Sequence, residues 1–164
     1  MIRACLVLWA VLFGAMAHAQ APAPAPSAPI VWTDLVLVDG STLRAADLRG
    51  KTVVVQMWAT WCPFCAKQNP HVHALHEQMR GKGLVVLGFT IDRSAQTAQA
   101  YLKERGYSFP SAMSSPQVEA WFGKRRTLPE IYVVDPAGRV VFRETGEMFA
   151  EDIAALARFA PAAR

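Results

Sequence analysis

The sequence predicts an α/β fold: one central mixed β-sheet flanked by helices, preceded by a β-hairpin and carrying an inserted helix and short strand. Three observations lead there. Two β-rich apolar runs, 52–58 and 84–91, alternate with stretches of helical spacing. The chain then closes with two strands joined by a tight turn at Asp135-Pro136-Ala137-Gly138, followed by a helix. Finally, 164 residues with 52% apolar and only 18% charged side chains suffice for one domain with a real core and argue against long disorder.

The first residues read as an export leader. Arg3 gives the positive start, Ala4 to Ala17 is uncharged and mostly apolar, and Ala17-His18-Ala19 fits a small-x-small cleavage site. Residues 1–19 are therefore expected to be a signal peptide, with an uncleaved membrane anchor as the alternative. The apolar stretch falls short of the roughly 18 residues that a spanning helix needs. Residues 20–29 are an Ala/Pro-rich linker, since alternating proline favours extended polyproline II and builds no core. The folded domain is expected over 30–164. Val31 to Val38 alternates into a turn at Asp39-Gly40, as in a small hairpin. Thr52 to Trp58 reads as a buried strand and Pro63 to Arg80 as a helix ended by Gly81 and Gly83. Leu84 to Ile91 is the next strand. Ser94 caps a helix to Arg105, and Gly106 stops it. Phe109 to Met113 is extended, and Ser115-Pro116 opens a short helix. Glu130 to Val134 and Arg139 to Thr145 are strands. A last helix spans Ala150 to Ala160, with Ile153, Leu156, Ala157 and Ala160 on one face.

Charge narrows the function. The net charge is +4 and the basic residues are scattered, apart from Lys124-Arg125-Arg126. No basic stripe with aromatics is present, so nucleic acid is not an expected partner. After loss of the leader only Cys62 and Cys65 remain of three cysteines. An exported pair can form a disulfide, but one closing so short a loop constrains the unfolded chain little. A structural zinc needs four ligands, and there is no second CxxC. A c-type haem needs histidine directly after the second cysteine, where Ala66 stands. A redox pair needs a buried strand, a turn and a helix that starts at the attacking cysteine, which is the order VVVQMWATW, Cys62, Pro63. At a helix start, backbone N–H groups and the helix dipole favour a thiolate, so Cys62 is the expected nucleophile. Cys65, one turn in, would be more buried and would resolve the mixed disulfide. Pro63 and Phe64 lie between them; Phe64 either offers a partner apolar contact or simply packs.

VVVQMWATWCPFCAKQNP resembles the active-site segment of the thioredoxin superfamily. Trp58 and Trp61 match its two tryptophans, and Pro70 matches the proline of its active-site helix. The stretch from Arg126 to Asp135 resembles that family's cis-proline loop and the strand after it. The resemblance covers about 30–160. It implies a thioredoxin fold, a cis bond between Leu128 and Pro129 beside the disulfide, and a docking groove there for protein substrates. The leader, hairpin and inserted helix look most like the TlpA/ResA/CcmG-type periplasmic proteins. They imply a periplasmic thiol–disulfide reductase, several of which serve cytochrome c maturation. Such a protein acts on protein disulfides, is re-reduced by a membrane donor and works as a monomer. It needs no cofactor beyond the Cys62–Cys65 disulfide.

Two positions depart from the family pattern. Gln56 stands where thioredoxin has a buried acid, and it takes no proton at neutral pH. Glu130, after Pro129, and Asp92, after the second strand, are the candidate carboxylates to serve Cys65; a solvated surface carboxylate is the plainer reading of both. Proline directly after Cys62 is closer to oxidising and isomerising relatives, so a disulfide oxidase or isomerase is the rival on the same fold. A copper-binding module using both thiolates and a nearby histidine is another. His71 and His73 point some 200° apart on a helix and cannot share an ion. His73 and His76 could, but two histidines make a weak site and a solvated or partly buried helix face is the plainer reading. Lys124-Arg125-Arg126 either steers an acidic partner or is a solvated loop, and Trp121 and Phe122 are expected in the core.

Overall fold

The computed structural model describes residues 28–124 and 127–161. A two-residue hairpin pairs β1 (Leu35–Val36) with β2 (Thr42–Leu43). The predicted strand from Val31 pairs over less of its length, because the chain is drawn elsewhere. Leu37 bridges Ala112, and Val38 N–H donates to Ser111 O at 2.8 Å. A four-residue helix, α1 (Ala45–Leu48), follows and buries Leu48. It is too short to show a periodicity in the sequence.

The main sheet is built from β3 (Thr52–Trp58), β4 (Leu84–Thr90), β5 (Ser111–Met113), β6 (Glu130–Val134) and β7 (Val140–Thr145), in the order β5-β4-β3-β6-β7. β3, β4 and β5 run parallel, while β6 and β7 are antiparallel to their neighbours. All seven β3 residues are buried, as expected for a central strand covered on both faces. Side chains alternate between those faces. Val54 and Trp58 face one core with Val86, Ile131 and Val133. Val53, Val55 and Met57 face the other with Leu87, Phe89, Tyr132 and Val134.

The first core is covered by α2 (Pro63–Met79), α3 (Ala95–Arg105) and α5 (Ala150–Ala155). The second is closed by α1 and α4 (Pro116–Phe122), through Leu48, Val118 and Phe122. Ser94 and Ser115 cap α3 and α4, each accepting from the amide three residues on. The last helix is shorter than the apolar spacing predicts: α5 ends at Ala155 and tightens into a 3-10 turn at Leu156–Phe159. Pro161 then drives Ala160 out of helical geometry (φ −59°, ψ 141°) and ends the turn. Two glycines are required by close approach. A Cβ on Gly88 would stand 2.5 Å from Ser111 Oγ and 2.8 Å from Trp58 Nε1, inside the pair in which Trp58 donates to Ser111. A Cβ on Gly138 would stand 2.5 Å from Ile30 O, where Ile30 N–H donates back to Gly138 O.

Candidate active site

β3 delivers the chain to Ala59, Thr60 and Trp61, and Cys62 is the N-cap of α2. Its extended backbone (φ −86°, ψ 113°) lets Cys65 N–H donate to Cys62 Sγ at 3.1 Å. Pro63 takes the first helical position, where a missing N–H costs nothing. The two cysteines are disulfide-bonded, with Cα atoms 5.2 Å apart. Cys62 keeps 4% of its surface exposed and Cys65 none.

Trp61 and Phe64 are strongly exposed, at 65% and 51%. With Cys62, Pro63, Ile91, Thr127 and Leu128 they line an open, mostly apolar cleft. Of the two readings of Phe64, the structure therefore places it at the cleft rather than in the core. The Leu128–Pro129 peptide bond is cis, and Pro129 O accepts from Gly146 N–H at 2.9 Å, tying the loop to the segment before α5.

Behind the cysteines lies a chain of buried amides. Gln56 Nε2 donates to Asn69 Oδ1 at 2.5 Å, Gln68 Nε2 donates to Gln56 Oε1 at 3.3 Å, and Gln68 Oε1 accepts from Met148 N–H at 2.7 Å. Gln56, Gln68 and Asn69 are fully buried. Sequence reasoning found Gln56 but missed Gln68, Asn69 and Met148. The signal was available: Gln68 and Asn69 fall between Cys65 and Val72 on the buried face of α2.

Neither candidate carboxylate is a solvated surface group, which corrects the plainer reading. Glu130 is 1% exposed and Asp92 6%. Glu130 also does not face Cys65. Ile131 and Val133 share the core of the cysteines, so Glu130, alternating with them, leaves on the other side of the sheet with Tyr132. There Tyr132 OH donates to Oε2 at 2.8 Å, and Arg143 donates to Oε1 at 3.1 Å. Asp92 lies under the cysteine turn, held by Thr60 and Thr90.

The histidines serve α2 and its neighbours. His73 Nδ1 accepts from Ser108 N–H at 3.3 Å. Burial holds the pKa of His76 below the usual histidine range, helped by nearby Arg80. Among the described residues no group of three His, Cys, Asp or Glu side chains is placed to hold a metal. Phe122 is buried and Trp121 half-buried against Trp32. Lys124 is exposed, and Arg125 and Arg126 lie outside the described residues.

A cysteine pair at the start of a helix, at the end of the central strand of a mixed sheet and next to a cis-proline loop, is the arrangement of a thioredoxin-fold thiol–disulfide oxidoreductase. The comparisons with known proteins agree. The chain belongs to the Redoxin family, whose pattern matches residues 19–157. It is 28% identical over 123 residues to the thiol-disulfide oxidoreductase ResA of Bacillus anthracis, covering 75% of this chain and 69% of that protein. With ResA of Bacillus subtilis it shares 26% over 110 residues, or 67% and 62% of the two chains. Among solved structures, a thiol:disulfide interchange protein of the thioredoxin family from Chlorobium tepidum superposes with a TM-score of 0.75 at 26% identity, over 84% of this chain and 99% of that one. StoA from Bacillus subtilis shares the fold, with a TM-score of 0.67 at 18% identity over 79% and 98% of the two chains.

Proposed function

We propose that this protein is an exported, monomeric reductase of protein disulfides in which Cys62 attacks and Cys65 resolves. In the dithiol form, the Cys62 thiolate attacks one sulfur of a substrate disulfide. That S–S bond breaks, one substrate thiolate leaves, and a mixed disulfide joins Cys62 to the other substrate sulfur. Cys65, once deprotonated, attacks Cys62 Sγ and expels the second substrate thiolate. The Cys62–Cys65 disulfide has formed, two electrons have passed to the substrate, and protons from water complete its thiols. A membrane dithiol donor restores the pair by the same exchange in reverse.

The observation that carries this reading is the asymmetry of the pair. Cys62 Sγ receives the Cys65 N–H at the N-terminus of α2 and borders the cleft, whereas Cys65 is wholly buried. A helix N-terminus stabilises a thiolate, and the exposed faces of Trp61 and Phe64 suit an apolar stretch of a protein client. Thr127 and Leu128, set by the cis bond to Pro129, line the cleft beside them, where an extended client backbone would dock. The resemblance to the TlpA/ResA/CcmG type favours an apocytochrome c among such clients.

The deciding measurement is the reduction potential of Cys62–Cys65. A value near about −270 mV marks an electron donor, and one near about −120 mV an oxidant, which would overturn the direction proposed. The Cys65→Ser variant is expected to accumulate clients disulfide-linked to Cys62. Insulin reduction that survives Cys62→Ser would refute the assignment of the nucleophile.

A further inference from the structure

Asp92 is a nearly buried carboxylate to which the exchange steps above assign no role. It follows β4 and sits under the turn that leads from β3 to Cys62. Its Oδ1 accepts from Thr60 Oγ1–H at 2.7 Å, and its Oδ2 accepts from Thr60 N–H at 3.1 Å and from Thr90 Oγ1–H at 2.6 Å. Its own N–H donates to Thr90 Oγ1 at 3.2 Å, closing the loop on the end of β4. All these donors to the carboxylate are neutral, and no lysine, arginine or histidine among the described residues forms an ion pair with it.

The clamp bears directly on the cysteine. Thr60 precedes Cys62 by two residues, so their Cα atoms are at most roughly 7.6 Å apart at 3.8 Å per step. The carboxylate held by Thr60 therefore sits in the turn that carries the cysteine, and a partly buried charge is screened less than an exposed one. Burying a carboxylate costs several kcal/mol even after relaxation. A turn that needed only a hydrogen-bond acceptor would be served by an amide at lower cost.

We propose that Asp92 is a positioning residue for Cys62 with two effects. Its two hydrogen bonds from Thr60 tie the Ala59–Trp61 turn to the end of β4, where Thr90 holds it, so that Cys62 Sγ stays at the start of α2. Its negative charge opposes the pull of the helix N-terminus on the Cys62 thiolate and makes the dithiol a stronger electron donor. The couple is the disulfide plus two electrons and two protons giving the dithiol; against glutathione, two glutathione thiols supply both and become one glutathione disulfide. Other charges border this corner: Arg93 next in the chain and Glu119 of α4 beside the same surface pocket. They are the same in every variant compared below.

The test is the equilibrium of the whole protein with glutathione in mildly alkaline buffer, together with the pH profile of Cys62 alkylation by iodoacetamide. Asp92→Asn is expected to move the equilibrium toward the dithiol by roughly threefold to tenfold, about 15–30 mV, and to move the alkylation midpoint to lower pH. Thr60→Ala keeps the charge; it should leave the equilibrium within about twofold of wild type while slowing turnover. Asp92→Asn with a lower Tm but unchanged equilibrium and alkylation profile would reduce Asp92 to a structural group and overturn the proposal. Should Asp92→Asn not fold, Thr60→Ala decides alone, since unchanged turnover would refute the clamp. The inference rests on Cys62–Cys65 being the redox couple. A wild-type disulfide that does not exchange with glutathione would overturn that reading and the inference with it, whereas an exchanging disulfide unmoved by Asp92→Asn overturns the inference alone.

Discussion

The sheet carries a buried polar group on each face, and the two are built from opposite materials. On the cysteine face, Gln56, Gln68 and Asn69 form a chain of neutral amides that ends on a backbone N–H. On the other face, Glu130 is a buried carboxylate bonded to Tyr132 and to half-exposed Arg143, whose guanidinium lies 5.3 Å from the Tyr132 ring centre. Both networks are satisfied; among the described residues no buried side-chain nitrogen or oxygen lacks a partner. The amides hold the active-site helix to the central strand without adding a group that titrates near neutrality. The carboxylate locks β6 to β7 just after Pro129, where its charge is separated from the cysteines by the sheet. A redox site therefore tolerates a rigid polar backing, provided that the charge is kept behind the sheet or, at Asp92, confined to the turn.

The sharpest way to break this contrast is to put a charge on the neutral side. Gln56→Glu places a carboxyl among buried amides, so burial should raise its folded pKa above the unfolded value of about 4.3. The unfolded chain then loses its proton first, and stability falls as pH rises from about 4.3 toward the folded pKa. Each pH unit that separates the two pKa values costs about 1.4 kcal/mol. Urea unfolding at several pH values checks this; a variant as stable as wild type throughout would mean that the network admits water. Removing charge from the other side should matter less. Glu130→Gln loses charge-assisted bonds and should cost about 1–3 kcal/mol in urea unfolding, with the glutathione equilibrium unchanged. A marked slowing of client release from a trapped Cys62 mixed disulfide would instead return Glu130 to the exchange chemistry. The smallest effect is at His76, remote from both networks. Its lowered pKa means that the unfolded chain binds a proton first as pH falls, so stability declines below about pH 6.5. His76→Gln should flatten that slope by about a few tenths of a kcal/mol, since solvent screens the half-buried ring.

Much of this was legible in the chain. β3, β4 and β6 are mostly apolar runs because both their faces are covered. Cys62 and Pro63 announce the start of α2 because capping chemistry is local. What escaped depends on contacts distant in sequence. Gln68 meets Met148 across eighty positions, and Thr60 meets Asp92 across thirty-two; no spacing rule brings either pair together. The face taken by Glu130 follows from strand alternation once Ile131 and Val133 are known to be core, but the sequence does not tell which core also holds the cysteines. The stop at Ala160 was readable from Pro161, but the 3-10 tightening over Leu156–Phe159 was not, since apolar spacing does not separate the two helix types.

The hydrogen bond from Ile30 to Gly138 settles which way the molecule points. Val134, just before the turn that holds Gly138, pairs with Val53 at the start of β3, while Cys62 follows the end of β3. The described chain, entering at Ala28-Pro29-Ile30, thus joins the body at the pole opposite the disulfide. Pulled or held from that side, the protein would hang like a lamp on a cord, its reactive end facing outward.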